Sequence, residues 1–155
     1  MIQRIQSIWF FLAVLTLILM LFLPIATKTV DGSEAKIFTN GLHHYLEGKT
    51  GKVLNVEVSL PLLIANIAIA IICFINIFNY KKRSFQKRFA IVSIILIVGF
   101  AFWCSIYAKE LPGGIEGASF GIGAYLPAVA ILFIVLGIFG INKDERLIRS
   151  AERLR

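Results

Sequence analysis

Residues 124–141 read AYLPAVAILFIVLGIFGI, and this stretch decides what kind of protein the chain can be. It contains no charged residue and no strongly polar side chain. As a helix it would be about 27 Å long, close to the ~30 Å thickness of the hydrocarbon core of a bilayer. A surface helix of a soluble protein would instead carry polar residues along one face. The stretch therefore predicts a membrane-spanning helix.

Three further stretches show the same pattern, at residues 8–26, 58–78 and 89–107. None of them contains Asp, Glu, Lys, Arg or His. Of the 155 residues in the chain, 16% are charged, whereas a soluble domain has about 25%. The first stretch is longer than the apolar part of a signal peptide, which has about 7–15 residues, and no good cleavage site follows it. The sequence thus predicts one all-α integral membrane domain, an antiparallel four-helix transmembrane bundle.

The basic residues indicate how such a bundle would be oriented. Residues 80–88, YKKRSFQKR, hold five basic residues and no acidic residue. Arg4 and the tail at 142–155 bring the total on this side to eleven, against five on the other side. Because Lys and Arg prefer the cytoplasmic side, we expect both termini and the loop 79–88 to be cytoplasmic, with outer loops at 27–57 and 108–123. The net charge of +7 then sets topology and contacts anionic lipids, rather than indicating a nucleic-acid partner. A basic site for a soluble partner is the alternative.

The first outer loop contains two segments that mix β-forming and polar residues. They are separated by GKTG at residues 48–51, which can turn. We therefore predict a small extracytoplasmic β-hairpin with strands near Lys36–Leu46 and Lys52–Ser59. The second outer loop holds five glycines, which allow sharp turns and close backbone approach, so we expect it to form a compact cap.

Few polar side chains lie inside the predicted spans. Asn66 and Asn76 are ten residues apart, which places them with Cys73 on one broad side of a helix. Polar groups in lipid usually face another helix, so both asparagines are candidate interhelix contacts. A polar pathway for a solute is the alternative. Cys73 and Cys104 lie in different spans at different depths, which favours buried thiols over a disulfide.

Chemistry-bearing motifs are scarce. His43 and His44 with Glu47 resemble a fragment of a metal site, but adjacent residues of a strand point to opposite faces and no third strong ligand is indicated nearby. The predicted spans hold no Asp, Glu, Lys, Arg or His for a proton relay, and the chain has no G-x-S-x-G motif. We predict no catalytic residue, no metal and no cofactor, and we expect a protein that is not an enzyme.

The C-terminal tail, NKDERLIRSAERLR at residues 142–155, is rich in charged residues, whereas the preceding span contains none. Asn142 can cap a helix, with Glu145 three residues later as in a capping box. An apolar stripe then follows at Leu147, Ile148, Ala151 and Leu154. These features predict a short, separate amphipathic helix, which would be marginal alone and would lie on the bilayer or on a partner protein.

Residues 1–13, MIQRIQSIWFFLA, and residues 143–155, KDERLIRSAERLR, also carry a resemblance. They resemble an uncharacterised four-span inner-membrane protein family of the Bacteroidota, a domain of unknown function. That family starts with R-I-Q and ends close to K-D-E-x-L-V-R-S-x-D-R-L-R, where this chain has Ile148 for the valine and Glu152 for the aspartate. The resemblance implies a bacterial inner-membrane protein and supplies no activity.

The similarity of the tail to the family's C-terminal motif favours a specific contact of the tail over lipid anchoring alone. The candidate residues are Asp144, Glu145, Arg146, Arg149, Ser150, Arg153 and Arg155. Their partner would be the N-terminal region around Arg4, a second copy of the chain, or another membrane protein.

Three functions remain open on the sequence. The first is a non-enzymatic structural or accessory subunit that docks partners through its cytoplasmic tail and outer hairpin. The alternative is a permease or channel component for a small solute. The third is a lipid-acting enzyme at the outer surface that uses His43, His44 and Glu47.

Overall fold

The structure, a computed structural model, describes residues 3–30, 33–46, 53–112 and 114–153. Its long helices are α1 (Gln3–Leu19), α2 (Leu60–Phe78), α3 (Arg83–Tyr107) and α4 (Leu126–Arg153). Helix α1 packs against α2 and α4, and α3 packs against the same two helices, so the four form a closed antiparallel bundle. Among the described residues, three helical segments are long and apolar enough to cross a membrane: Leu60–Phe78, Arg83–Glu110 and Ile122–Ile148.

An antiparallel sheet covers one end of the bundle. Its strands are β1 (Ala26–Val30), β2 (Ser33–Phe38), β3 (Gly41–Leu46), β4 (Val53–Val58) and β5 (Ser119–Phe120), in the spatial order β4-β3-β2-β1-β5. We call this end of the bundle the sheet end, and the opposite end, where α1 begins and α2 finishes, the far end. The four predicted helices are present, but the predicted β-hairpin is part of a larger sheet, since the described residues form five strands.

The predicted first strand, residues 36–46, is divided in two by a tight turn at Thr39 and Asn40. Phe38 pairs with Gly41 across that turn. Gly41 has a φ of 144°, and a Cβ there would lie 2.1 Å from the carbonyl oxygen of Glu57. Only glycine fits this position. The turn at Thr39 and Asn40 reverses the chain just before it, so residues 36–46 do not form one strand. The predicted second strand, 52–59, corresponds to β4, and the intervening GKTG lies outside the described residues.

The first predicted span, residues 8–26, was also wrong at its end. Helix α1 stops at Leu19, and Ala26 already belongs to β1. Ile25 and Ala26 are 3% and 1% exposed beneath the sheet. These two apolar side chains therefore pack in the core under the sheet and do not contact lipid. Hydropathy in the sequence does not distinguish a core position from a lipid-facing one. The apolar part of α1, Gln6–Leu19, is shorter than the other three candidate spans.

The glycine-rich connection between α3 and α4 closes over the sheet end. The backbone N–H of Gly121 donates to the carbonyl of Ile25 at 2.9 Å, and that of Gly123 donates to the carbonyl of Pro24 at 3.0 Å. A Cβ at Gly121 would lie 2.3 Å from the oxygen of Pro24. These glycines let two stretches of backbone touch, which brings β5 alongside β1.

The bundle has an apolar exterior and a partly polar interior. Large exposed hydrophobic side chains occur on every helix, among them Phe11 on α1, Ile64 on α2, Phe102 on α3 and Phe139 on α4. The buried polar and charged side chains include Gln6, Thr16, Asn66, Asn76, Gln86, Ser93 and Asp144. A soluble protein buries its apolar residues preferentially, whereas a helix in lipid exposes them and turns its polar groups toward its neighbours.

The C-terminal tail does not form a separate helix. Helix α4 runs without a break from Leu126 to Arg153, so the predicted start at Asn142 was wrong. The Asn142 side chain does not act as a cap. Its Oδ1 accepts a hydrogen bond from Lys87 Nζ on α3 at 2.8 Å. Because the helix is already propagating from the apolar segment, no new nucleation is needed at this point.

Candidate functional site: a polar layer at the far end of the bundle

The first and last helices are tied together by a buried hydrogen bond. Gln6 Nε2 on α1 donates to Asp144 Oδ2 on α4. The two residues are only 4% and 5% exposed. Gly140, one turn before Asp144, allows this approach, since a Cβ at that position would lie 3.1 Å from Gln6 Cγ. The hydrogen bond gives both buried polar groups a partner, and burying either group without one would cost free energy.

Helices α3 and α4 are joined by a cation at the same end. Lys87 Nζ donates to Asn142 Oδ1 at 2.8 Å and to Glu145 Oε2 at 2.7 Å. The side chains of Lys87 and Glu145 are both 24% exposed, so this ion pair is partly shielded from solvent. Charge-assisted hydrogen bonds of this length are stronger than neutral ones.

Helices α2 and α3 exchange a reciprocal pair of hydrogen bonds. Asn76 Nδ2 donates to the carbonyl of Gln86 at 3.3 Å, and Gln86 Nε2 donates to the carbonyl of Asn76 at 3.2 Å. Asn76 lies in the last turn of α2, and its carbonyl also accepts the backbone N–H of Asn79. The Gln86 amide is therefore a second donor to this carbonyl, and the reciprocal pair ties the end of α2 to the start of α3.

These contacts form one layer that links all four helices in the order α1–α4–α3–α2. We call it the polar layer; its members are Gln6, Asn76, Gln86, Lys87, Asn142, Asp144 and Glu145. The amides of Gln6, Asn76 and Gln86 donate between helices, which ties the helices together, whereas the acceptors Asn76 Oδ1 and Gln86 Oε1 are buried without a hydrogen-bond partner among the described residues. Within the described residues, no group of three or more His, Cys, Asp or Glu side chains is placed to hold a metal ion.

Asn66 makes a separate hydrogen bond, nearer the sheet end of the bundle. Its Nδ2 donates to the carbonyl of Leu17 at 3.2 Å. Leu17 is one of the last four residues of α1, whose carbonyls have no partner within the helix. The other three are satisfied locally by the N–H groups of Met20, Leu21 and Phe22. Asn66 therefore completes the C-terminal end of α1, and this explains a buried amide in an apolar helix.

The predicted tail residues separate onto two sides of α4. Asp144 and Glu145 face the bundle, as members of the polar layer. The opposite side is exposed, and we call it the outer stripe: Lys143, Arg146, Leu147 and Ser150. These positions recur every three or four residues, so they form one face of the helix. The side chains of Arg149 and Arg153, and all of Arg155, lie outside the described residues.

The histidine pair of the predicted hairpin, His43 and His44, is part of the sheet. His43 Nε2 lies 3.1 Å from Asn40 Oδ1, and its ring contacts those of Phe38 and Tyr45. Burial lowers the pKa of His43 below its ordinary value of 6.5. His44 pairs with Ala35 and Asn55 in the neighbouring strands. Glu47 lies outside the described residues, so the structure does not bring the three predicted groups together.

The sheet presents an edge at β4. Asn55, Val56, Glu57 and Val58 are consecutive and all exposed. The N–H of Val56 is covered by the Oδ1 of its neighbour Asn55 at 3.1 Å. Covering an edge N–H in this way reduces indiscriminate strand pairing. The remaining edge is the accessible part of the outer hairpin.

Cys73 and Cys104 are free thiols, and both are buried, on α2 and α3 respectively. They pack among the apolar core side chains, so they fill space as small hydrophobic groups do.

Sequence reasoning missed Gln6, Gln86 and Lys87. Gln6 lies before the predicted first span, and residues 79–88 were predicted to form a loop, although α3 already begins at Arg83. One signal was available: Gln86, Ala90, Ser93 and Ile97 recur at helical spacing, and all four are buried. Extending the apolar stripe backward would have placed Gln86 on the inner face.

Both terminal motifs thus meet in the polar layer, through Gln6 at one end of the chain and Asp144 at the other. The family model described as Domain of unknown function (DUF4293) matches residues 2–154. The chain belongs to this family. The DUF4293 match covers all but the first and last residues of the chain, which agrees with the resemblance to an uncharacterised domain family. No curated protein matches the chain.

Proposed function

We propose that this member of the DUF4293 family is a four-span protein of a bacterial inner membrane that acts as a non-enzymatic structural or accessory subunit. The observation that supports this most is the division of the end of α4 into two faces. One face is used inside the bundle by Asp144 and Glu145, and the other, the outer stripe, is exposed. A helix that is already held in place has its second face available for a partner.

The proposal takes α1 as the fourth span. At 17 residues, α1 is about 25 Å long, and it has the same apolar exterior as the other helices. Ile8, Phe11, Leu15 and Ile18 are all exposed and would face lipid. The turn after it adds Phe22, which is 72% exposed. A short helix is accommodated by local thinning of the bilayer at a cost of fractions of a kcal/mol per Å.

The orientation follows from the basic residues at the far end. Lys82, Arg88 and Arg146 are exposed there, beside the polar layer. Positive charge in short loops and near helix ends favours the cytoplasm. We therefore place the far end and both termini in the cytoplasm and the five-stranded sheet outside. A Bacteroidota source, which the terminal motifs suggest, belongs to the same proposal.

The proposed docking surfaces are the outer stripe and the β4 edge. The outer stripe combines two cations with Leu147, which is 48% exposed. An exposed apolar side chain rimmed by charge is typical of protein contact sites. At the other end, an edge strand can accept an extended segment of a partner through main-chain hydrogen bonds.

The interior favours a structural role over the permease alternative. Leu17, Leu62, Ile97 and Ile134, one from each helix, are fully buried and fill the space between the helices. The buried asparagine and glutamine side chains donate across helix boundaries rather than lining a continuous polar path. A solute would have to displace these contacts.

The test is co-purification from the native host in a mild detergent, comparing the intact chain with Arg146→Glu and Lys82→Glu. Both variants reverse one exposed charge at the far end, but only Arg146 lies on the outer stripe. We expect a membrane-protein partner to be recovered with the intact chain and with Lys82→Glu, and to be lost with Arg146→Glu. Equal recovery with all three chains would remove the outer stripe from the proposal.

A further inference from the structure

The outer stripe continues a line of exposed apolar side chains along α4. Leu132 and Phe139 are 55% and 63% exposed. Lys143 follows Phe139 by four positions and Arg146 follows it by seven, and both are exposed. This spacing places Phe139 and the two cations on one face of the helix. In the proposed four-span arrangement, the outer stripe therefore follows directly on a surface that faces lipid.

The length of α4 places the two cations at a defined depth. Tyr125, directly before the helix, is 63% exposed, and tyrosine prefers the interface between membrane and water. Arg146 lies 21 positions further along the chain. That separation is about 31 Å along a helix, close to the ~30 Å thickness of the hydrocarbon core. With Tyr125 at one interface, Arg146 reaches the other, at the level of the lipid headgroups.

The exposed face of α4 carries positive charge only. Among its described exposed side chains, Lys143 and Arg146 are the charged ones. The neighbouring acids, Asp144 and Glu145, are turned into the polar layer, where Gln6 and Lys87 donate to them. These interior contacts also fix the rotation of the helix, so the two cations are held facing outward. The surface therefore selects an anionic occupant.

Charge and depth together favour a lipid as that occupant. A second copy in the same membrane would place the same two cations opposite each other, which is repulsive. A soluble acidic protein would meet the headgroups before it reached α4. We propose that the outer stripe binds an anionic phospholipid, with the phosphate between Lys143 and Arg146 and one hydrocarbon chain along Phe139. Arginine holds a phosphate through two hydrogen bonds and lysine holds it as a point charge. The inference rests on the proposed four-span arrangement, and it names the ligand of the outer stripe when no protein partner covers it.

The test compares two lipids that differ in net charge. The purified full chain in a mild detergent is titrated with phosphatidylglycerol, which is anionic, or with phosphatidylcholine, which has no net charge and carries the same hydrocarbon chains. Native mass spectrometry measures the bound fraction of each lipid. A cation near an anionic lipid surface contributes roughly fivefold in affinity. We therefore expect phosphatidylglycerol to bind roughly fivefold to twentyfold more tightly than phosphatidylcholine.

Four variants separate the outer stripe from the general positive charge of the far end. Lys143→Gln and Arg146→Gln should each weaken phosphatidylglycerol binding roughly fivefold and leave phosphatidylcholine binding unchanged. Lys143→Arg keeps the cation and should keep the preference. Lys82→Gln is the matched control, because it removes an exposed cation of the far end that lies off the outer stripe, and it should also keep the preference.

Equal affinity of the unmodified chain for the two lipids would overturn the inference and leave the outer stripe to a protein partner. An equal loss in Lys82→Gln would also overturn it, because diffuse charge would then hold the lipid. Glycerol 3-phosphate at the same concentration should not displace phosphatidylglycerol, and displacement would indicate a site for a free phosphate group instead. The titration contains no partner protein, so its failure leaves the docking proposal standing, and failed co-purification leaves lipid binding standing.

Discussion

Gln6 and Asp144 are 138 positions apart in the chain and share a hydrogen bond in the interior of the bundle. The contact joins the first helix to the last at the end where both termini lie. It also joins the two terminal segments that carry the resemblance described in the sequence analysis. The acidic start of the tail is therefore part of the fold, and the residues available for another partner are those on its opposite side.

Replacing Asp144 tests this joint. Asp144→Leu removes the acceptor and leaves the buried amide of Gln6 without it. We expect the free energy of unfolding in detergent to fall by about 1–3 kcal/mol, the usual cost of an unsatisfied buried polar group. Asp144→Asn keeps an acceptor oxygen and should lose less. The exposed neighbour Lys143 serves as control, because Lys143→Leu should change the stability by no more than about 0.5 kcal/mol. A stable Asp144→Leu variant would speak against a structural role for the contact.

Gly137 sets how closely α1 and α4 can pack. A Cβ at this position would lie 3.1 Å from the ring of Phe10, which is 1% exposed and cannot move aside freely. We expect Gly137→Ala to lower the stability by about 1–3 kcal/mol through overpacking. Adding Phe10→Leu should restore part of the loss by making room for the methyl group.

Gly99 on α3 supplies the control for that experiment. No atom outside its own neighbourhood lies within 4 Å of a Cβ built there. Gly99→Ala should be neutral or slightly stabilising, since alanine is the better helix former by up to about 1 kcal/mol. Similar losses at both glycines would contradict close packing between α1 and α4.

Asn66 completes the C-terminal end of α1, so its removal should loosen that end. We expect Asn66→Leu to cost about 0.6–1.7 kcal/mol, the range for interhelix hydrogen bonds in membrane proteins. Hydrogen exchange should show faster opening of residues 17–23 in this variant. Asn55→Leu changes an exposed asparagine on β4 and should leave those residues unaffected. Unchanged exchange at residues 17–23 in Asn66→Leu would contradict the capping role.

The sheet should lose stability in mild acid. Burial lowers the pKa of His43 from 6.5 in the folded sheet, so the unfolded state binds the proton more readily. Stability is therefore full well above pH 6.5, decreases as the pH falls through 6.5, and levels off below the folded pKa. Hydrogen exchange of β3 amides across this range would measure it. His43→Phe should make the stability of the sheet less dependent on pH. If the stability of this variant still decreases in mild acid, another group is responsible.

Much of the helical framework was predictable because hydropathy is a local property. The apolar stretches at 58–78 and 124–141 lie within or close to α2 and α4. Hydropathy gave a wrong prediction at residues 20–26, because the apolar side chain of Ile25 packs under the sheet and not in a membrane-spanning helix. The dipeptide Asn40-Gly41, at the end of the turn formed by Thr39 and Asn40, is a strong hairpin signal in the sequence. The prediction of a single long strand at 36–46 did not take it into account.

The rest depends on contacts between distant parts of the chain. Strand β5 has two residues and pairs with β1 across a separation of 92 positions for Thr27 and Ser119. No local pattern identifies such a strand. The polar layer is likewise distributed over four helices, so Lys87 in an apparent loop gave no sign that it would meet Glu145. Asn142 shows how far local patterns can be used. It is a residue type that favours the N-cap, but α4 continues through it and its side chain accepts a hydrogen bond from Lys87 instead.

The most direct test of the account is whether α1 crosses the membrane. In a chain with Cys73→Ala and Cys104→Ala, single cysteines are placed by Gln3→Cys, Asn55→Cys and Ser150→Cys, and spheroplasts are treated with a membrane-impermeant maleimide. The account predicts labelling at position 55 in intact spheroplasts and at positions 3 and 150 only after permeabilisation. Labelling of position 3 in intact spheroplasts, with position 150 still protected, would mean three spans and would contradict the four-span bundle.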